Sequence, residues 1–112
     1  VDFRNQSEIK FPMNKKHVVV FWATWCGPCK IELSRLQEFV SDKKAAQDLI
    51  LAVSVDENLN DLNQYLQETP YSFLVAHDSQ GALANSFNVM GTPTILFVDE
   101  NNTVQWRSTG IS

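Results

Sequence analysis

The sequence predicts an α/β layered domain with a mixed central sheet flanked by helices and a closing β-hairpin. Three observations carry this reading. Strand-like apolar runs alternate with amphipathic helical patterns along most of the chain. The connections are short, with no linker, repeat or low-complexity segment. The last two strand-like runs are separated by a polar turn rather than a helix. With 112 residues and 44% apolar content, the chain reads as one domain, residues 1–112, with a core that needs no disulfide to stand.

Taken in order, residues 1–16 hold "VDFRN" and "EIKF", which can form an edge hairpin. "HVVVFWA" (17–23) is β-branched and aromatic throughout, as a strand buried on both faces should be. After "CGP" a helical pattern runs from Cys29 to about Val40, with Cys29, Leu33, Leu36 and Val40 on one face. "LILAVSV" (49–55) is a second buried strand. "NLNDLNQYLQE" (58–68) is a second helix with Leu59, Leu62 and Leu66 as its stripe, and Pro70 lies beyond its end. "SFLVAH" (72–77) is a third strand. Asp78 or Ser79 can cap a short helix over "QGALANSF". "TILFVD" (94–99) and "TVQWRS" (103–108) close around "ENN" as a hairpin.

Charge narrows the function classes. The net charge of −4, from 13 acidic and nine basic residues, offers no phosphate-binding surface, so no nucleic-acid partner is expected. No run approaches 18 consecutive apolar residues, so no helical membrane span is expected. The sequence begins at Val1, and a removed signal peptide, or a membrane tether outside this segment, would leave no trace in it.

The chemistry is expected in "FWATWCGPCK" (21–30), which holds both cysteines. A redox couple, half of a metal site and a structural staple are the three alternatives. A staple closing so small a loop removes little unfolded-state entropy. A structural zinc site needs four ligands, and the other candidates, His17 and His77, are not arranged as a ligand motif; no metal is expected. The redox reading fits the placement. Cys26 follows a strand, and Pro28 suits a helix's first turn. Residues three apart at a helix start are neighbours at about the separation a disulfide requires. A sulfur at a helix N-terminus faces unpaired N–H groups and the positive end of the dipole, which favour thiolate over thiol. Cysteine pKa values in such settings fall to roughly 3.5–7.5 from about 8.5. Cys26 is therefore the expected nucleophile. Cys29, one turn inside the helix on its apolar face, should be more buried and act second.

These residues resemble the active-site segment of thioredoxins. A second match lies far downstream, where "GTPT" (91–94) at a strand start resembles that family's cis-proline loop. The resemblance implies a cis Thr92–Pro93 bond, with Pro93 packed beside the sulfurs and the neighbouring backbone holding an extended substrate segment. "FWATWCGPC", Glu32 three residues past Cys29, "VSVDE" (53–57) and an extra βα segment before "FNVMGTPTILFVDENNTV" are similar to the TlpA/ResA-like branch. The match covers a core of residues 17–108. It implies an extracytoplasmic or periplasmic setting, often with a membrane tether, and protein partners with dithiols or disulfides, apocytochrome c among them. It also implies an upstream thiol reductant or oxidant, and no cofactor besides the redox-active disulfide. Trp25, Gly27, Pro28, Thr92 and Pro93 are the implied substrate-facing positions.

The sequence departs from thioredoxins in three places. The buried Asp six residues before the first cysteine is replaced by Val20. The proline five residues after the second cysteine is replaced by Ser34, so the first helix should be straighter. The chain stops at "STGIS", where the family usually adds a last helix; trimming, or a different cover for that face of the sheet, would account for this.

With Val20 unable to carry a proton, Glu32 is the candidate acceptor for Cys29; the plain alternative is a solvated glutamate pairing with Arg35. Trp25 is expected to shape the docking surface and Trp22 to lie in the core. His77 and Asp78 are expected in a polar turn and cap, and His17 at an exposed strand start. Met13 and Met90 are expected as packing rather than copper ligands. The expected function is thiol–disulfide exchange, in the reducing direction suggested by Gly-Pro between the cysteines. The alternatives are a copper- or haem-handling thiol-binding module without redox turnover, and a redox-dead adaptor.

Overall fold

The computed structural model describes residues 15–110. The elements run β1 (His17–Trp22), α1 (Gly27–Asp42), a 3-10 helix (Lys44–Leu49), β2 (Ile50–Ser54), α2 (Leu59–Glu68), β3 (Leu74–His77), α3 (Ala82–Ser86), β4 (Thr94–Val98) and β5 (Val104–Thr109). They build a five-stranded sheet in the order β3-β2-β1-β4-β5. β1, β2 and β3 are parallel, while β4 runs antiparallel to β1 and β5 antiparallel to β4. The sheet is therefore mixed, as the alternation of helices followed by a hairpin predicts.

The sheet separates two cores. Successive side chains of a strand point to opposite faces, and β1 uses both. Val20 and Trp22 pack on one face with Cys29, Leu33 and Val40 of α1, Leu62 of α2, and Phe73. Val19 and Phe21 pack on the other with Leu51, Val53 and Leu96, joined by Leu83 of α3 and Phe87 at its end. This double coverage is why β1 is apolar without alternation. Trp22 anchors an aromatic group on the α1 side. Its ring centroid lies 5.6 Å from that of Tyr65 and 6.2 Å from that of Tyr71, and Tyr71 stacks on Phe73 at 4.8 Å.

Element ends differ from the sequence reading for identifiable reasons. α1 begins two residues earlier, because Gly27 and Pro28 occupy first-turn positions whose N–H groups need no intrahelical partner. It runs unbroken to Asp42, with Ser34 inside it. The 3-10 turn over Lys44–Leu49 was not expected. At α3 the N-cap is Gly81, which has no side chain to cap with, and Asp78 three residues ahead accepts from the amides of Leu83 at 3.2 Å and Ala84 at 2.9 Å. Gly81 supplies the positive φ of 71° just before that helix.

Three expectations are corrected. His17 is buried, not exposed. It pairs with Val98 of β4, and its Nδ1 donates to the Lys15 carbonyl at 2.7 Å. Met90 is 95% exposed and fills no core gap, because it stands in the loop ahead of β4. Leu59 is exposed at the first position of α2, so Leu62 and Leu66 alone bury that helix's stripe. The segments "VDFRN" and "EIKF", and Met13, lie outside the described residues. Among the described residues no helix is long and apolar enough to cross a membrane.

Candidate active site

The redox pair sits where β1 turns into α1. The Cys26 amide donates to the Ala23 carbonyl at 3.1 Å, closing a tight corner after the strand. Cys26 is extended, with φ −95° and ψ 103°, and is the N-cap of α1. Its sulfur accepts the Cys29 N–H at 3.2 Å, one of the helix-start donors that lack a backbone partner. The first turn holds no acidic residue and includes Lys30, so nothing in it opposes the positive end of the dipole. A sulfur in this position is stabilised as thiolate.

Cys26 and Cys29 form a disulfide with a Cα–Cα separation of 5.3 Å, within the span such a bond requires. Cys26 is 6% exposed and Cys29 is 0% exposed, the asymmetry expected for a first and a second sulfur. Trp25, 72% exposed, stands beside the pair with Gly27 and Pro28, which are also exposed. A Cβ built on Gly27 would meet no atom within 4 Å, so this edge of the corner is open to a partner.

The second motif is brought to the first. The Thr92–Pro93 bond is cis, and the Thr92 carbonyl oxygen lies 3.7 Å from the Cys26 sulfur. The loop is braced on both sides. Thr94 Oγ1 donates to the Gly91 carbonyl at 2.5 Å, and the Gly110 amide donates to the Pro93 carbonyl at 2.8 Å. Pro93 is buried and Thr92 half-buried.

Val20 is fully buried in the core and carries no proton chemistry. Glu32 projects from α1 with its side chain 18% exposed. Its Oε2 is 3.6 Å from Arg35 Nη1, an ion pair too long for a hydrogen bond. Oε2 is therefore buried with no hydrogen-bond partner among the described residues. A buried acceptor left unpaired is uncommon, and here it belongs to the one acid on the first two turns of the redox helix. Lys30 turns away from it, with Nζ 5.1 Å from the Tyr65 ring centroid.

One buried acid escaped the sequence reading. Asp56, inside the quoted "VSVDE", is 2% exposed and accepts from Thr24, two residues before Cys26, through amide and hydroxyl. An aspartate closing an apolar strand was the available signal. His77 joins the same place, its Nε2 donating to the Asp56 carbonyl oxygen at 2.6 Å. Tyr71 stands in the wall behind the pair. Burial, and then its 2.7 Å hydrogen bond with the Tyr65 hydroxyl, hold the Tyr71 hydroxyl well above the ordinary tyrosine value.

Comparison with known proteins agrees with this geometry. The family model described as Redoxin matches residues 6–112. The thiol-disulfide oxidoreductase ResA of Oceanobacillus iheyensis is 33% identical over 85 residues, which cover 76% of this chain and 44% of the relative. ResA of Geobacillus kaustophilus is 32% identical over 90 residues, covering 80% and 52% respectively. The chain thus spans about half the length of these curated relatives. Among solved structures, StoA from Bacillus subtilis superposes with a TM-score of 0.82 at 23% identity, covering 95% of this chain and 82% of that one. That likeness shows a thioredoxin-like fold.

Proposed function

The chain belongs to the Redoxin family, and from that premise we propose that it is a thiol–disulfide oxidoreductase that reduces disulfides of partner proteins. One observation carries the reading most directly. The Cys26 sulfur sits on the N-terminus of α1, bonded to Cys29 and facing the Thr92 carbonyl of the cis-proline loop. The names of the ResA relatives support the same activity.

The reaction follows from the placement. In the reduced protein the Cys26 thiolate attacks one sulfur of the partner's disulfide. A mixed disulfide forms and one partner thiolate leaves. Cys29 then loses its proton to Glu32 and attacks the Cys26 sulfur, expelling the second partner thiolate. Two electrons have passed from the Cys26–Cys29 dithiol to the partner. Because Cys29 is held one helical turn away, the second step is effectively intramolecular. Trp25, Gly27 and Pro28 on one side, and Thr92 and Pro93 on the other, frame the partner's segment. The pair is itself the redox group and uses no cofactor. An upstream thiol reductant restores it.

The partners fitting the family resemblance are exported proteins, apocytochrome c among them, and the setting is extracytoplasmic, with any membrane tether outside this segment. The experiment is a redox titration in glutathione buffers followed by tryptophan fluorescence. A reversible two-electron transition is expected. Stoichiometric Cu(I) binding with no exchange activity would replace this reading with the thiol-binding module. A protein showing neither would be an adaptor.

A further inference from the structure

Asp56 takes no part in the exchange steps, yet its side chain is built into the corner that carries them. β1 and β2 pair in parallel register from Val18 opposite Ile50 to Trp22 opposite Ser54. Continued two residues further, that register sets Thr24 against Asp56. β1 has ended there, and the Asp56 side chain stands in for the missing backbone acceptor. The Thr24 N–H reaches both carboxylate oxygens at 3.1 Å, and the Thr24 hydroxyl donates to Oδ1 at 2.6 Å. From β2 the Ser54 hydroxyl donates to Oδ2 at 2.5 Å while accepting Asp56's own N–H at 3.1 Å. His77, at the end of β3, donates to the Asp56 carbonyl oxygen; a carbonyl only accepts, so Nε2 carries the hydrogen. One residue ties together the ends of three parallel strands.

Thr24 lies inside the turn that the Cys26 amide closes on the Ala23 carbonyl. Pinning Thr24 by both its amide and its hydroxyl fixes the direction in which the chain leaves β1, and hence where the Cys26 sulfur stands over α1. We propose that Asp56 is a positioning residue for Cys26, holding the Thr24 corner so that the sulfur stays on the Cys29 N–H. This rests on the thiol–disulfide reading and names a further residue of that same site. Asp56 touches no sulfur and acts only through Thr24.

The test is the pH profile of iodoacetamide capture at Cys26 in the reduced protein, for wild type, Asp56→Asn, Asp56→Ala, Thr24→Val and the Asp56→Ala/Thr24→Val double variant. Loosening the corner takes the sulfur off its donor. The midpoint therefore rises, and capture at neutral pH slows roughly threefold or more, because the thiolate fraction follows the midpoint. Asp56→Asn, which keeps one accepting oxygen, shifts less than Asp56→Ala. The double variant shifts no further than Asp56→Ala, since both changes break one connection. If Asp56→Ala does not fold, Asp56→Asn and Thr24→Val carry the test, each raising the midpoint. Unmoved midpoints alongside lowered melting temperatures would overturn the proposal in favour of a purely structural carboxylate. A midpoint that falls in Asp56→Asn would overturn it in favour of an effect of charge. Iodoacetamide capture needs no partner disulfide. A wild-type protein that is captured normally yet exchanges no disulfide would fail the functional reading and leave the Asp56 comparison readable.

Discussion

The sulfur of Cys26 lies 3.7 Å from the carbonyl oxygen of Thr92, residues separated by 66 positions in the chain. β4 lies antiparallel beside β1, and this pairing brings the start of β4 to the end of β1. The nucleophile and the backbone that would hold its substrate are thereby set face to face. The exposed edge beside them is formed by Trp25, Gly27 and Pro28.

Trp22 shares a core cluster with Cys26 and Cys29, and Trp25 adjoins Cys26, whereas Trp106 lies on the outer strand β5. The fluorescence change on reduction is expected to survive Trp106→Phe with its amplitude nearly intact. Trp22→Phe and Trp25→Phe together should abolish it. Emission spectra of oxidised and reduced protein check this.

Glu32 places on the redox helix a buried oxygen that makes no hydrogen bond among the described residues. If it takes the Cys29 proton, Glu32→Gln slows resolution of the mixed disulfide by about a hundredfold, the scale of general base catalysis. The alkylation profile of Cys29 against pH should be displaced as well. Superimposable profiles for wild type and Glu32→Gln would assign the residue to its ion pair with Arg35.

Tyr71 gives a pH dependence whose sign can be worked out. Burial and the Tyr65 hydroxyl raise its folded value above the unfolded one, so the folded state keeps the proton after the unfolded state has lost it. The contribution is fully present below about pH 10 and is lost as pH rises beyond it, because the unfolded state then gains from ionising. Urea midpoints measured at pH 8 and pH 10.5 should fall more in wild type than in Tyr71→Phe.

Asp78, three residues ahead of the Gly81 N-cap, accepts from the first amides of the short helix α3. Asp78→Ala should cost about 1 kcal/mol, the scale of losing a side-chain acceptor for helix-start amides. The loss should appear as faster amide exchange at Leu83 and Ala84, with the redox titration unchanged.

Most of the fold was legible because its signals are local. The run from Val18 to Trp22 has no polar residue to place at a surface, and the spacing of Cys29, Leu33 and Val40 fixes the face that α1 buries. "CGPC" pointed to the site through its spacing and its place at a helix start, and "GTPT" through its resemblance to the thioredoxin cis-proline loop. Asp56 was not legible in the same way. An aspartate closing an apolar strand marks it locally, but what it holds depends on a register between two strands separated by a whole helix. Met90 and His17 were misplaced for the opposite reason. A methionine suits a core and a histidine suits a surface, but the loop before β4 holds one in solvent, and pairing with β4 buries the other.

The most direct test of the central claim is a trapping experiment on the reduced protein with a disulfide-bearing substrate protein. In Cys29→Ser the resolving thiol is gone, and a mixed disulfide on Cys26 should accumulate to near stoichiometry, identified by mass spectrometry and released by dithiothreitol. Cys26→Ser should trap little, because Cys29 is buried and lies inside the helix. Equal trapping by both variants, or none by Cys29→Ser, would contradict the account.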